Sequence, residues 1–398
     1  MQAQVKTMTK LKTFYLTLST GFAMFSMFFG GGNLVFPLSI GKVSGEFHMF
    51  AAIGLLITGV LVPFLGLLGI VFFHGDYDKF FARLGKIPSV MLPFLMLCIL
   101  GPFGVIPRCI NVAYGSFDLL FPGTSLVLFS AMACVIILLM SMDKSKLVAI
   151  LGNVLTPILL LALAIIIGRG VLGETSMQDT SHTISTALSH GLFEGYQIMD
   201  LLAAFFFGAV VVKYIRNTLP SSASEDQVMK LTINSCIVGA SILAAIYIGF
   251  VYLGAHYADI LGGVNMEQYL GAIANHTLGI YAGPVVCVAV IMACLTTAVV
   301  LVSIFTEFFQ EKIVRNKINY PTGVVITLII SFLISTLKFS GIASFIGPIV
   351  EATYPGLILL TILNIAHKKY DLMTVKLPVY ATFVAFSGYM GYKALILQ

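Results

Sequence analysis

Three short stretches of this chain carry residue types suited to holding a small polar ligand or an ion. In FFGGGNLVFP, residues 28–37, three glycines and Asn33 interrupt a long apolar run. Each interior glycine costs a helix about 1 kcal/mol relative to alanine, so Gly30, Gly31 and Gly32 mark a place where the backbone unwinds. An unwound turn offers free N–H groups to an anion and free carbonyls to a cation. In GLFEGYQIMD, residues 191–200, two glycines, Gly191 and Gly195, and two carboxylates, Glu194 and Asp200, open another apolar run. Carboxylates there are costly and mark candidate functional positions. In MACLTTA, residues 292–298, Thr296 and Thr297 set adjacent hydroxyls in an apolar helix. Hydroxyl oxygens are hard ligands of the kind a sodium ion takes. The competing reading is that each simply bonds a carbonyl one turn back.

The elements that position these residues follow from composition. The 398 residues are 59% hydrophobic and 10% charged, against about 25% charged in a soluble domain. Apolar stretches long enough to cross about 30 Å of hydrocarbon recur from end to end. The chain is therefore an all-α polytopic membrane protein. Punctuating hydropathy with Pro, Gly and charge clusters gives about 11 transmembrane helices: 12–40, 48–74, 87–116, 124–142, 146–168, 191–213, 228–254, 282–309, 321–338, 342–367 and 377–397. The first run is too long for a signal peptide and lacks a small-residue cleavage site, so it is expected to be a true span. The six cysteines all lie in apolar runs without a C-x-x-C pair and read as packing residues. The seven histidines are scattered singly, and no metal site beyond a coupling ion is expected.

With the N-terminus cytoplasmic, the basic residues sort strongly. Of 22 Lys and Arg, only Lys42, Arg169, Lys338 and Lys393 fall outside, and Arg108 lies within a span. That asymmetry is the positive-inside pattern, and an odd span count puts the C-terminus outside. Arg108 needs a partner; Asp118 and Glu351 are the candidates, in a structural ion pair.

The interruptions at 28–37 and 191–200 lie five spans apart, so one begins on the inner side and the other on the outer. A five-helix repeat would thus be inverted, with both breaks meeting near the midplane. Paired breaks of this kind point to the binding site of a secondary transporter. Irregular backbone is tolerated at such depth only where it lines a polar site inside the protein.

At these residues the sequence resembles the bacterial branched-chain amino acid:cation symporters. FSMFFGGGNLVFP (25–37), EGYQIMDLLAAFFFG (194–208) and ACLTTAV (293–299) carry the likeness, with GPFGVIPR (101–108) in support. The resemblance implies a LeuT-type 5+5 inverted repeat with broken helices 1 and 6. Its parts would be a cytoplasmic segment 1–11, repeats 12–168 and 191–367 joined by an extracellular connection 169–190, and an additional C-terminal helix 377–398. It implies Na⁺-coupled uptake of leucine, isoleucine and valine across the bacterial inner membrane, with H⁺ coupling or another neutral or aromatic amino acid as alternatives. It places Na⁺ among main-chain carbonyls near Ser26 and Phe29, the Ala293 carbonyl and the hydroxyls of Thr296 and Thr297. It places the substrate against Gly30 to Asn33 and the second break, Glu194, Gly195 and Asp200. Family members usually have twelve spans, so one helix outside the repeats is missing here.

A zwitterionic substrate would direct its carboxylate to the N–H groups at Gly31, Gly32 and Asn33, and its ammonium to the second break with Asp200 nearby. Phe28, Phe205 and Val105 are the expected contacts for an aliphatic side chain. No carbonyl filter or acidic ring suggests a channel, and no nucleophile or metal cluster suggests an enzyme. No Walker motif is present, so no ATPase subunit is expected, nor is a nucleic-acid partner. Besides its substrate, membrane lipid is the partner expected.

Overall fold

The computed structural model describes residues 10–142, 156–173, 177, 183–220, 222–279, 282–370 and 375–396. The described chain is helical, as it must be where lipid offers no partner to backbone N–H and C=O groups. The expected span at 146–168 falls partly outside the described residues.

The first long helix is in two pieces, α1 (Lys10–Phe28) and α2 (Gly31–Ser44). The second, α3 (His48–Leu56) and α4 (Val62–Phe72), is joined through a widened π turn, Ile57–Leu61. Pro63, which donates no N–H and so cannot bond the Gly59 carbonyl inside that turn, stands two residues after its end. A short helix, α5 (Tyr77–Ala82), is capped by Asp76, whose Oδ1 accepts from the Lys79 N–H at 2.9 Å.

The third long helix is also in two pieces, α6 (Pro88–Leu100) and α7 (Val105–Leu120), where a single span was expected. Pro102 and Pro107 explain this third break. Neither can donate to the carbonyl four residues back, so the ladder cannot run through 101–104. There follow α8 (Leu126–Ser141), α9 (Thr156–Val171), and the pieces α10 (Ile184–Gln197) and α11 (Asp200–Thr218). Then come α12 (Glu225–His256), α13 (Tyr269–Leu278), α14 (Ala282–Phe308), α15 (Tyr320–Ser335), α16 (Lys338–Tyr370) and α17 (Lys376–Ile396). By length and composition, six of the described helical stretches can cross a membrane, and α8, α9 and α15 are shorter apolar helices. Leu128, Leu139, Leu161, Leu333 and Val384 are exposed, forming the face such a bundle turns to hydrocarbon.

The second break lies later than the sequence suggests. Gly191 and Gly195 belong to regular helix in α10, and the chain turns at Met199, in the left-handed conformation at φ 68° and ψ 16°. The two glycines serve packing instead. A Cβ at Gly191 would lie 2.0 Å from the Ala51 carbonyl oxygen, and one at Gly195 2.0 Å from Thr58 Oγ1. Gly54 approaches the Leu188 carbonyl in the same way, at 2.3 Å, so α3 and α10 meet backbone to backbone. The other broken helix is held equally closely. A Cβ at Gly41 in α2 would lie 2.0 Å from the Val251 carbonyl oxygen of α12, and one at Gly254 2.1 Å from that of Leu38.

Candidate functional site

At the first break the backbone groups can be followed one by one. In an unbroken helix the N–H groups of Gly30 and Gly31 would donate to the carbonyls of Ser26 and Met27. Here Gly30 is extended, its N–H donates to Asn33 Oδ1 at 3.0 Å, and that of Gly31 to Cys109 Sγ at 3.4 Å. Cys109 therefore does more than fill space. The two released carbonyls accept instead from Thr297 Oγ1, each at 3.3 Å. Thr296 Oγ1 donates to the Ala293 carbonyl at 2.8 Å and accepts from Ser26 Oγ at 3.4 Å.

Oxygens of Ser26, Met27, Ala293, Thr296 and Thr297 thus gather between the end of α1 and the middle of α14. Such a set of neutral oxygens fits a small hard cation. Four of the five ion-site residues expected from the sequence come together here, and Met27 joins them. Phe29 is engaged otherwise: its N–H donates to the Phe25 carbonyl at 2.8 Å, and its ring stacks on Phe25 with centroids 4.8 Å apart. Among the described residues, no hydrogen bond links Phe29 to α14.

Asn33 ties the first break to the second. Its Nδ2 donates to Asp200 Oδ2 at 2.9 Å and to the Tyr247 hydroxyl at 2.6 Å, and that hydroxyl donates to Asp200 Oδ2 at 3.2 Å. All three residues are buried. Gly32 sits against the second break, where its Cβ would touch the Ile198 Cα at 3.5 Å. Gly30 to Asn33 and Asp200 are therefore neighbours, as expected. Tyr247, in the middle of an apolar run, gave no signal beyond being a hydroxyl at membrane depth.

The second break has its own partners. The Gln197 carbonyl accepts from Arg108 Nη1 at 2.8 Å, and the Leu201 N–H donates to the Tyr354 hydroxyl at 3.2 Å. Neither carboxylate expected to pair with Arg108 does so. Asp118 accepts from Gln268 Nε2 at 3.5 Å, and Glu351 from Gln197 Nε2 at 3.3 Å. The main chain of Arg108 also abuts the first break, since a Cβ at Gly31 would lie 3.1 Å from its carbonyl oxygen.

Three expected substrate contacts stand elsewhere. Glu194 is one helical turn before Gln197, within electrostatic reach of Arg108 and Glu351 and away from the Asn33 knot. Gly195 packs on Thr58. Phe205 turns toward α5, its ring 5.3 Å from those of Phe80 and Phe81. The aromatic of α11 that meets Phe28 is Phe207, with centroids 5.0 Å apart, and Phe64 lies 5.3 Å from Phe28 on the other side. Val105 is buried one turn before Arg108 and Cys109.

A cavity of about 670 Å³ opens beside this region, lined among others by Tyr77, Lys213, Val300, Ser303, Glu307 and Glu311. Thr296, Val300, Ser303 and Glu307 recur at three- and four-residue steps and so share one face of α14. One strip of helix thus runs from the gathered oxygens to the cavity mouth.

The profile of the branched-chain amino acid transport protein family matches residues 15–397. The chain is 30% identical to the branched-chain amino acid transport system 2 carrier protein of Pseudomonas aeruginosa, over 93% of its own length and 84% of the relative's. It is 29% identical to the branched-chain amino acid permease BrnQ of Bacillus subtilis, over 88% of this chain and 81% of that one. Among solved structures, the inward-facing conformation of Mhp1 superposes with a TM-score of 0.61 at 14% identity, covering 94% of this chain and 91% of Mhp1. A manganese transporter of Eremococcus coleocola superposes with a TM-score of 0.60 at 11% identity, covering 98% and 88%. At such identities these structures show the fold alone, the LeuT-type arrangement with its broken helices.

Proposed function

Since the chain belongs to the branched-chain amino acid transport protein family, we propose that it is a Na⁺-coupled secondary carrier for leucine, isoleucine and valine that works by alternating access. Its relatives are carriers and permeases, and it is a multi-pass membrane transporter, not an enzyme. The observation that carries the Na⁺ reading is the meeting of the Ser26 and Met27 carbonyls with Thr297, beside Thr296 and the Ala293 carbonyl. Those carbonyls are released only because α1 stops at Phe28.

A cation held there bridges the first broken helix to α14. Its occupancy favours whichever arrangement of these helices brings the oxygens together, by as much as its affinities for the two arrangements differ. The substrate lies between the breaks, where Asp200 faces Asn33 and Phe28 meets Phe64 and Phe207. The two breaks are the corresponding positions of the inverted repeats 12–168 and 191–367. The basic residues around 79–86 and 213–216 put the cavity mouth on the cytoplasmic side, with the N-terminus inside and the C-terminus outside. Release then follows the α14 strip past Ser303 to Glu307.

A proton-coupled reading has one observation in its favour, the buried Asp200 carboxyl at the junction of the two breaks. Labelled-leucine uptake into proteoliposomes separates the possibilities. Accumulation under an inward Na⁺ gradient, absent with K⁺ and competed by isoleucine and valine, is the expected result. Accumulation driven only by a pH gradient would replace Na⁺ by H⁺. No accumulation under either gradient would remove branched-chain amino acids as the substrate.

A further inference from the structure

Arg108 is the largest fully buried side chain of the described residues, at 1% exposure, and it is incompletely partnered. Nη1 donates to the Gln197 carbonyl, while Nε and Nη2 have no hydrogen-bond partner among the described residues. The two free groups are not a random pair. Nε–H and Nη2–H point the same way along one edge of the planar guanidinium, the edge that grips a carboxylate with two parallel bonds. Phe36 and Phe339 place their rings 5.5 and 5.6 Å from the guanidinium carbon, contacts that hold the group without consuming its donors.

Leaving a buried cation half-satisfied is expensive. The nearby carboxylates do not relieve it: Glu351 accepts from Gln197, and Glu194 acts on Arg108 through space without a bond. Meanwhile, of the anion receptor expected from the sequence, the N–H groups of Gly31, Gly32 and Asn33, the first is committed to Cys109, and the Gly30 N–H beside it to Asn33. Arg108 stands between the breaks, its main chain against Gly31 and its side chain on Gln197. The Asp200 carboxylate marks the other pole of the same junction.

We propose that Arg108 is the receptor for the substrate's carboxylate, gripping it through Nε and Nη2. The proposal rests on the amino-acid carrier reading and deepens it. It makes the site a selector for free α-carboxylates, with the apolar pocket sorting only side chains.

The test is binding of labelled leucine to the purified full-length carrier, competed by leucine and by leucinol, in which a hydroxymethyl group replaces the carboxylate. The wild-type protein is expected to prefer leucine by about a hundredfold or more, the worth of two charge-assisted bonds at a buried site. In Arg108→Gln that preference should fall to within about threefold, through loss of leucine affinity with leucinol little changed. Arg108→Lys, which keeps the charge but not the fork, should retain an intermediate preference and serves if the Gln variant does not fold. A variant that melts earlier yet keeps the full preference would overturn the proposal and leave Arg108 a structural residue. So would equal affinity for leucine and leucinol in the wild-type protein, which needs no variant. No leucine binding by the wild-type protein, with Na⁺ present or at acid pH, would overturn the carrier reading and the proposal with it.

Discussion

Replacing Thr297 by valine, which keeps the shape and removes the hydroxyl, should separate ion binding from folding. In the structure Thr297 Oγ1 shares a single proton between the Ser26 and Met27 carbonyls, at 3.3 Å each. Both contacts are long for an O–H donor, so together they equal about one ordinary hydrogen bond, and losing them should cost about 1–2 kcal/mol of stability. The ion loses more: one of six gathered oxygens goes, and with it the group that holds the two released carbonyls in place. The concentration of Na⁺ giving half-maximal leucine binding should rise about tenfold or more, equivalent to about 1.4 kcal/mol or more. Thr361→Val is the matched control. Thr361 is equally buried and donates to the Leu357 carbonyl at 2.9 Å, far along α16. Melting temperature and Na⁺ dependence of leucine binding would be read on the same preparations. The reasoning is refuted if both variants lose similar stability and neither shifts the Na⁺ dependence by more than about twofold.

Other substitutions probe the rest of the junction. Met199 holds a left-handed conformation that costs a non-glycine residue about 1–2 kcal/mol; Met199→Gly should still fold and transport, whereas Met199→Val should lose uptake and lower the melting temperature. Asn33→Ala removes three buried hydrogen bonds, to Gly30, Asp200 and Tyr247, and should cost about 3 kcal/mol in thermal unfolding while abolishing uptake. Gly41→Ala drives a methyl into the Val251 carbonyl and should cost about 3 kcal/mol or more, read as lost monodisperse protein. Gly168→Ala, with nothing of the described residues within 4 Å, should be neutral or slightly stabilising in the same assay.

The first break was legible because three adjacent glycines lack the four-residue spacing of a helix-packing face. The second was harder to place. Gly191 and Gly195 look like the interruption, yet they are where α10 packs on the second long helix, and the turn falls instead at Met199, a buried methionine in a glycine-like conformation. The break at 101–104 could have been read from Pro102 and Pro107, which each delete a rung of the same ladder. Thr296 and Thr297 were legible as oxygen donors, whereas Met27 was not, since a main-chain carbonyl carries no side-chain signature. Arg108 was visible as an anomaly but not as a receptor. Its sequence neighbourhood suggests an ion pair, and only the geometry shows which of its edges is already used. Phe205 and Phe207 are two residues apart in a run of three phenylalanines, and only tertiary packing decides which one meets Phe28.

The contacts at Gly41, Gly54, Gly191 and Gly254 have a mechanical consequence. Main chain rests on main chain there, with no layer of side chains to change rotamer, so α2 is clamped to α12 and α10 to α3 as stiff struts. For the clamped pieces α2 and α10, the joints left free to bend are the breaks at their ends, residues 29–30 and 198–199. In the proposed mechanism those joints are also where ion and substrate bind, so each ligand would act as a splint, stiffening the molecule at the points left free to bend.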